Sequence, residues 1–588
     1  MKSQGSLTLK AFANSSPGLR FGNPGIAQVN FDGDATLKGL RLASTKIATP
    51  VATPSELRRN ECELYPPGFQ NKPWAPISEH LRRNILYDGM FAEITMTAKQ
   101  LFTPSLLAML SISSILVFSG MTFLPTGNAT ADFYDVVVLN GRVMDPESNL
   151  DAVRNVGIRG GKIQTITSKS LKGRTVIDAK GLVVAPGFID LHVHDMNDEH
   201  HRAQAMDGVT TALELEIGTA DIDRWYEERE GKTLINYGAS IGHVPVRMVV
   251  MKDPGTFVPS GDAAYRPATE NEVAEIKRLI ELGLKRGAIA VGFGINYTAA
   301  ASHREIIEMF RVAAKYKASC HVHMRYAGIK EPMNCVAAFE EVLAAAAMTG
   351  APLQVVHITS MAFDDTPRVL EMIREARSHG IDVTTECYPY TAGMTRLDSA
   401  IFDGDWQGQL GIDYKDLQWV ATGERLKAES FARFRKEGGM VALHSMKPEV
   451  VRSAIADPLT MIASDGILKD GKGHPRAAGT YSRILGYYVR ETKTLTLMDA
   501  LRKMTLMPAG RLERRVPMMK TKGRIRPGAD ADLTIFDAER VIDKSTYTEP
   551  GKYSEGIKFV LVNGVAVVKD GQLQVGIKPG QAVRAPIQ

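Results

Sequence analysis

The sequence has few cysteines, and this scarcity excludes two kinds of small domain. Only four occur among 588 residues, and they are irregularly spaced: Cys62, Cys320, Cys335 and Cys387. Cysteines so few and so far apart do not make a disulfide framework or a CxxC zinc knuckle. Their number alone leaves the redox compartment of the protein open.

A strong charge of either sign is also missing. The formal net charge is +5, from 71 basic and 66 acidic residues, and this balance gives no reason to expect a nucleic-acid partner. Apolar residues make up 44% and charged residues 23%, the proportions of a soluble globular protein. These proportions exclude a largely disordered chain and a multi-span membrane protein. The length allows one large α/β barrel with an attached module.

The N-terminal region divides into two segments by composition. Residues 1–89 lack sustained periodicity and are rich in Ser, Thr, Pro, Gly and Asn, so they are predicted to be a disordered extension or an artefact of the gene model. Residues 90–131 resemble a secretory signal. Within them, the run from Gln100 to Ala131 has no charged residue, Leu106–Leu124 is mostly apolar, and Ala129-Thr130-Ala131 offers small residues for cleavage.

Three interpretations of this apolar segment stay open: a cleaved signal, an uncleaved membrane anchor through residues 106–124, and a buried core helix. A cleaved signal places the mature N-terminus near Asp132. With a signal or an anchor, residues 132–588 are exported to the periplasm or the medium. If the segment is neither, the protein is cytoplasmic.

Short β-like runs lie at both ends of the remaining chain. Residues 132–183 contain Tyr134–Leu139 and residues 519–588 contain Phe559–Val562, each with glycine-containing turns nearby. We expect these two flanks to form one small β-sandwich domain. Between them, residues 184–518 alternate strand-like runs with helical stretches, as successive βα units of a parallel barrel do. The clearest helical stretches are Glu270–Lys285, Ser302–Tyr316, Cys335–Met348 and Pro367–His379.

The first candidate metal ligands along the chain are His192 and His194. In a strand, residues i and i+2 face the same side, so the two imidazoles can present themselves together to a metal ion. Two histidines on one strand face can equally be packed and hydrogen-bonded. Further strand-like runs end near other ligand types, and barrel active sites lie at that end of the strands. These candidates are Glu214, Glu216, His323, His357 and Asp465.

Several phrases together resemble the amidohydrolase superfamily, and within it the N-acyl-D-amino-acid deacylases, also called D-aminoacylases. The phrases are APGFIDLHVH, DGVTTALELE, HMR from His323, YPYTAG from Tyr388, SDG followed by HPR from His474, and GRIRPGADADLTIFD. The resemblance implies a metal-dependent (β/α)8 barrel. It also implies ligands from HxH on the first strand, one histidine on each of the fifth and sixth strands, and an aspartate on the eighth.

Two departures concern the residue that joins the metal sites. Many amidohydrolases use a carboxylated lysine on the fourth strand, but the stretch Gly287–Ile295 contains no lysine. Deacylases of the family commonly place a cysteine at the end of the second strand, where direct counting finds Ile217 here. Glu216 occupies that place with a shift of one residue, and Glu214 lies on the same strand face. We predict Glu216 as the ligand.

The resemblance implies one or two divalent metal ions, with zinc expected. Glu216, His323 and His357 would hold one ion, and His192 with His194 would support a second, although these ligands also suit manganese, cobalt or iron. Asp465 would take a proton from the attacking water and return it to the leaving amine.

The resemblance also implies substrate contacts. Arg476, in the phrase HPR, would grip a substrate carboxylate, with hydrogen bonds from Tyr388 and Thr395, although this phrase can also be a simple turn. The common lysine two residues after the sixth-strand histidine is replaced by Thr359, which disfavours acidic side chains. The implied activity is deacylation of small N-acyl-D-amino acids. A dihydroorotase- or hydantoinase-type cyclic amide hydrolase and a non-catalytic scaffold are the alternatives.

Overall fold

The structure is a computed structural model that describes residues 133–588. The predicted extension over residues 1–89 and the predicted signal or anchor over residues 90–131 lie outside the described residues, so both stay predictions. Between residues 133 and 588, no helix has the combined length and apolar character needed to cross a membrane.

The described residues form 22 strands. In chain order they are β1 Phe133–Asp145, β2 Leu150–Arg159, β3 Lys162–Thr167, β4 Lys172–Asp178, β5 Val183–Pro186, β6 Phe188–Asp190, β7 Val209–Thr219, β8 Asn236–Gly242, β9 Val291–Gly294, β10 Cys320–His323, β11 Leu353–Val355, β12 Val383–Cys387, β13 Gly393–Arg396, β14 Leu417–Trp419, β15 Met440–Leu443, β16 Thr460–Ile462, β17 Leu468–Lys469, β18 Lys472–Gly473, β19 Leu533–Phe536, β20 Ile557–Val562, β21 Val565–Lys569 and β22 Gln572–Leu573.

The same residues form 15 α-helices. They are α1 Asp198–Met206, α2 Ile222–Glu227, α3 His243–Met251, α4 Asp262–Tyr265, α5 Glu270–Lys285, α6 His303–Lys315, α7 Cys335–Thr349, α8 Ile358–Ala362, α9 Thr366–Ser378, α10 Trp406–Leu410, α11 Ala428–Glu437, α12 Pro448–Ala456, α13 Arg476–Arg483, α14 Leu497–Met504 and α15 Leu506–Leu512. The four stretches predicted as helices correspond to α5, α6, α7 and α9 within one residue at each end.

Eight parallel strands form the barrel, in the order β6, β7, β8, β9, β10, β11, β12 and β16. Backbone hydrogen bonds just beyond β6 and β16 bring the first and last strands together. The Asp465 amide donates to the His192 carbonyl at 2.7 Å, and the His194 amide donates to the Gly466 carbonyl at 2.9 Å. The predicted (β/α)8 architecture is confirmed, and this closure places the eighth-strand aspartate beside the two first-strand histidines.

The two flanks of the barrel meet in one nine-stranded sheet, ordered β22, β21, β20, β19, β5, β1, β2 and β3, with β4 beside β1. The antiparallel pair β5 and β19 joins the N-terminal and C-terminal parts. An apolar cluster with members from both flanks, such as Val156 and Leu561, fills its interior. The first flank extends to Pro186, three residues beyond the expected boundary at residue 183, because β5 pairs with this sheet rather than with the barrel.

The segment between β12 and β16 carries a small three-stranded sheet, β13, β15 and β14. Its tryptophans pack within the segment: Trp406 stacks on Phe431 and Trp419 stacks on Phe434, with ring centroids 5.1 and 4.4 Å apart. Of the two roles considered for these tryptophans, the structure supports packing of a small subdomain.

Candidate metal centre

Six ligand-type side chains converge at the carboxyl ends of the barrel strands, and all six are buried. Two follow β6, one lies in β7, one ends β10, one follows β11 and one follows β16. They are His192, His194, Glu216, His323, His357 and Asp465. The structure therefore brings together every metal ligand and the acid–base residue that the sequence predicted.

Four donor atoms form one compact group. The Nε2 atoms of His192 and His194 are 3.2 Å apart and lie 3.2 and 3.1 Å from Glu216 Oε2. Asp465 Oδ1 is 3.4 Å from His192 Nε2 and 3.3 Å from His194 Nε2. Ligand bonds of about 2.0–2.1 Å in a tetrahedron require neighbouring ligand atoms roughly 3.3–3.4 Å apart. The two imidazole nitrogens have this spacing from each other and from each of the two carboxylate oxygens, as ligands of a zinc-type ion do.

Glu216 uses its second oxygen toward the other histidine pair. Its Oε1 atom is 2.8 Å from His323 Nδ1 and 3.7 Å from His357 Nε2. One carboxylate thus faces His192 and His194 with one oxygen and His323 and His357 with the other. Glu216 would therefore be in position to serve as a ligand on the side of either histidine pair.

Glu214 has a different place from Glu216. Both its oxygens lie 3.0 Å from His194 Nδ1, behind the ring and away from the ligand group. The pairing of β7 with β8 shifts register between Glu214 and Thr219, and Gly218 there has a φ of +68°. A Cβ at Gly218 would lie 2.3 Å from Ser240 Oγ, so the local backbone requires glycine.

A further carboxylate, not predicted from the sequence, supports His192. Glu386 Oε1 lies 2.7 Å from His192 Nδ1, and its Oε2 accepts a hydrogen bond from Gln354 Nε2 at 2.8 Å. Thr384 in turn donates to Gln354. A carboxylate on Nδ1 fixes the tautomer that leaves Nε2 free to bind a metal. The only sequence signal for this role is a glutamate inside the apolar run that becomes β12.

We expect Glu386→Gln to weaken metal binding about 10- to 100-fold, because the amide orients the His192 ring less firmly and makes it a weaker base. Metal affinity measured by competition with a chelator tests this. Glu340→Gln, at an exposed position on α7, is the matched control and should bind metal normally. Equal affinity in both variants would contradict a supporting role for Glu386.

The electrostatics of the cluster call for a cation. Burial disfavours the imidazolium form, yet Asp465, Glu216 and Glu386 raise the pKa of His192 to about 10. In the same way, although burial favours the neutral acid, the surrounding histidines hold the pKa of Glu216 well below its ordinary value. Buried carboxylates are costly without a compensating positive charge. The donor types, their spacing and this charge balance fit a divalent metal ion.

Backbone strain marks two members of the cluster. His357 and Asp465 have φ values of 32° and 51°, in the left-handed region that residues with a side chain rarely adopt. Such conformations persist at functional sites because the surrounding structure holds them. At His357 this conformation immediately precedes α8.

Asp465 also contacts the predicted substrate-binding residues. Its Oδ2 atom lies 2.8 Å from Arg476 Nη2, and the Arg476 guanidinium lies over the Tyr388 ring at 4.4 Å from the centroid. Burial alone would raise the pKa of Asp465, but Arg476 and His192 hold this pKa well below its ordinary value. Arg476 is fully buried, and its Nε and Nη1 atoms have no hydrogen-bond partner among the described residues.

A cavity opens beside the cluster. Its wall includes Tyr388 and Thr395, whose Oγ1 atom is 3.0 Å from the Tyr297 hydroxyl. The rest of the wall is largely apolar, and none of its described residues is a lysine or arginine. The apolar wall residues are Ile217, Phe257, Ala327, Met361, Phe363, Met394, Ile401, Leu410, Met440, Leu443 and Ile467.

Thr359 does not line this cavity. Its side chain is completely buried, and Ser360 is the wall residue at this point. The expectation that Thr359 stands in the place of a substrate-contacting lysine stays a prediction. Thr359 and Ser360 both lie in α8, directly after the left-handed turn at His357.

Comparison with known proteins identifies the family. The amidohydrolase family matches residues 175–238 and 245–568. An N-acyl-D-glutamate deacylase and a D-aminoacylase, both from Alcaligenes xylosoxydans xylosoxydans, are each 30% identical to this chain. They align over 76% and 74% of it and over 96% and 94% of their own lengths.

Comparison with solved structures points to the same family. An N-acyl-D-glutamate deacylase from Bordetella bronchiseptica, complexed with zinc and a phosphonate inhibitor, has a TM-score of 0.68 and 27% identity over 77% of this chain and 100% of its own. A D-aminoacylase structure described as having a binuclear metal centre has a TM-score of 0.66, 27% identity and the same coverage. A D-hydantoinase at 18% identity and a TM-score of 0.51, covering 77% of this chain and 100% of its own, shares the fold alone. The sequence matches, the shared fold and the buried ligand cluster together show that this chain belongs to the amidohydrolase family.

Proposed function

We propose that this hydrolase cleaves the amide bond of N-acyl-D-amino acids and releases a carboxylate and a free D-amino acid. The observation that carries the proposal is the position of Glu216, which faces one histidine pair with each oxygen, next to Asp465. This arrangement suits a metal-dependent attack of water on an amide. The D-amino-acid class comes from the relatives, whose names include D-aminoacylase and N-acyl-D-glutamate deacylase.

Zinc is the proposed metal, held by Glu216 with His323 and His357 on one side and with His192 and His194 on the other. When bound, it supplies Lewis acidity that polarises the scissile carbonyl and lowers the pKa of water. The relative complexed with zinc supports this choice.

Asp465 is the proposed proton carrier. Its low pKa keeps the carboxylate ionised at neutral pH, ready to accept a proton. Asp465 takes the proton from the attacking water as the new C–O bond forms. It then gives that proton to the amide nitrogen as the C–N bond breaks, so that the amine leaves neutral.

Arg476 and Tyr388 are proposed to hold the α-carboxylate of the substrate. Arg476 does not line the cavity, but it contacts the wall residues Asp465 and Tyr388 and has two buried nitrogen atoms without a partner among the described residues. A carboxylate that reaches these atoms can accept hydrogen bonds from the guanidinium in a bidentate manner. The Tyr388 hydroxyl is also buried, and it lies near the side chain of Ser360, another residue of the cavity wall. When the α-carboxylate and the scissile carbonyl of the substrate are both held in place, only one enantiomer of the substrate can place its side chain in the cavity.

The cavity wall favours an apolar side chain. Because its described residues include no lysine or arginine, an acidic side chain would lose its hydration without gaining an ion pair. The proposed substrates are N-acetyl-D-Leu, N-acetyl-D-Met and N-acetyl-D-Phe. This inference rests on the wall as a whole, and it agrees with the expectation drawn from Thr359.

A panel of N-acetyl amino acids assayed with the zinc-loaded protein tests the proposal. We expect kcat/KM for N-acetyl-D-Met to exceed that for N-acetyl-D-Glu by about tenfold or more, since an unpaired buried charge costs at least this much. The L enantiomers, dihydroorotate and a hydantoin complete the panel. Preference for an L substrate or for a cyclic amide would contradict the proposed reaction, and preference for D-Glu would contradict the proposed side-chain class.

A further inference from the structure

A second cavity lies at the opposite end of the barrel from the metal cluster. It is lined by residues that precede the barrel strands: Ser319 before β10, Pro352 before β11 and Asp382 before β12. Residues of α15 and the turn after it form another part of the wall. The residues that complete it are Lys317, Arg377, Thr384, Pro458, Leu459 and Met461. The cavity has a volume of about 400 Å³, and it shares no wall residue with the cavity beside the metal cluster.

Five basic residues and one acidic residue line this cavity. The basic residues are Lys317, Arg377, Arg511, Arg514 and Arg515, and the acidic residue is Asp382. Asp382 pairs with Arg511. Within residues 133–588, the other four cations form no ion pair with a carboxylate, so the wall has a surplus of positive charge.

Arg511 is one of the two cations in this group whose side chains are buried. Its side chain is only 4% exposed, and Nη1 is 2.5 Å from Asp382 Oδ1. The Nε and Nη2 atoms of Arg511 are buried and have no hydrogen-bond partner among the described residues. A buried guanidinium with two unused donors is costly, and the cost is removed when an anion accepts both hydrogen bonds.

Arg515 adds a second buried charge. Its three guanidinium nitrogens donate only to backbone carbonyls, those of Ala288, Tyr316 and Leu284 at 2.7–3.0 Å. Carbonyls satisfy its hydrogen bonds but do not neutralise its charge. Burial lowers the pKa of Arg515 to about 10, and burial also lowers the pKa of Arg511 although Asp382 acts in the opposite direction.

We propose that this cavity, which we term the basal cavity, binds a small oxyanion of the phosphate class. A phosphate group offers several acceptor oxygens, enough to satisfy Arg511 and to reach the exposed cations Arg377 and Arg514. The volume exceeds what inorganic phosphate alone fills, so a phosphomonoester also fits. Such an anion stabilises the folded protein because it binds the native arrangement of cations and not the unfolded chain.

Titration calorimetry on the zinc-loaded full chain, at constant ionic strength, tests the proposal with inorganic phosphate and with glycerol phosphate as separate probes. We expect the wild type to bind phosphate in one binding event. The double variant Arg377→Gln and Arg514→Gln should bind at least about tenfold more weakly, since each substitution removes a charged hydrogen-bond donor. Both residues are exposed, so the variant should fold normally. Stronger binding of glycerol phosphate than of inorganic phosphate would identify an organic phosphate as the occupant.

Arg476→Gln, beside Asp465, is the control for phosphate bound near the metal cluster. If phosphate binds in the basal cavity, Arg476→Gln should still bind it, whereas the double variant should lose this binding. The thermal midpoint should also rise with phosphate in the wild type and the control, and not in the double variant. Loss of binding in the control alone, or equal binding by all three proteins, would overturn the proposal.

Discussion

Asp465→Asn should lower kcat at least about 10²-fold while the fold and the bound metal are retained. Asparagine has the same shape but cannot accept the proton of the attacking water, and a positioned acid–base group contributes a factor of this order. Asp465 lies at a left-handed φ of 51°, which asparagine tolerates better than most residues. The variant therefore separates the loss of a proton carrier from a change in backbone structure.

The matched control for this variant is Asp470→Asn. Asp470 has the same φ of 51° but is exposed, in the tight turn between β17 and β18. Its variant should keep wild-type turnover of N-acetyl-D-Met. Steady-state kinetics, with zinc content measured on the same samples, gives the comparison. Near wild-type turnover by Asp465→Asn would require another residue to carry the proton.

Most of the metal cluster could be predicted because each ligand stands at the end of its own apolar run. His192 and His194 follow the run that becomes β6, His323 ends β10, and His357 and Asp465 follow the runs that become β11 and β16. In a parallel barrel all these ends meet at one face, so the order along the chain is enough to group them. The helices were predicted well for a similar reason, because their amphipathic patterns are local.

Three features depended on geometry that a local pattern does not carry. Glu386 supports His192 only because closure of the barrel brings β12 close to β6, with β16 between them. Ser360 and not Thr359 lines the cavity after His357, and the left-handed φ at His357 that precedes both residues is not visible in a local sequence pattern. The ion pair between Asp465 and Arg476 joins residues on either side of the β17–β18 hairpin, and only the folded hairpin brings them within 2.8 Å.

The sequence pattern also does not distinguish the roles of Glu214 and Glu216. When only the spacing in the sequence is known, two carboxylates on one strand face are equally good candidates for the metal ligand. The structure separates them by their partners, since Glu214 contacts His194 Nδ1 and Glu216 contacts Nε2 of the same ring. A ligand and a residue that orients a ligand therefore stand two positions apart on β7.

Of the substitutions at Glu216 and Glu214, Glu216→Gln should have the larger effect. It should remove most of the bound metal and lower kcat/KM at least about 10³-fold. The substitution removes a negative charge and turns one of the two oxygens into a donor that faces a histidine pair. With the metal, several kcal/mol of charge stabilisation in the transition state are lost. Glu214→Gln, on the same strand face and also buried, should weaken metal binding only about 10- to 100-fold, because it removes a supporting contact. Zinc content and kcat/KM for N-acetyl-D-Met, measured on both variants at equal free zinc, test this order. If Glu214→Gln lost the metal and Glu216→Gln kept it, the ligand and supporting roles of the two glutamates would have to be exchanged.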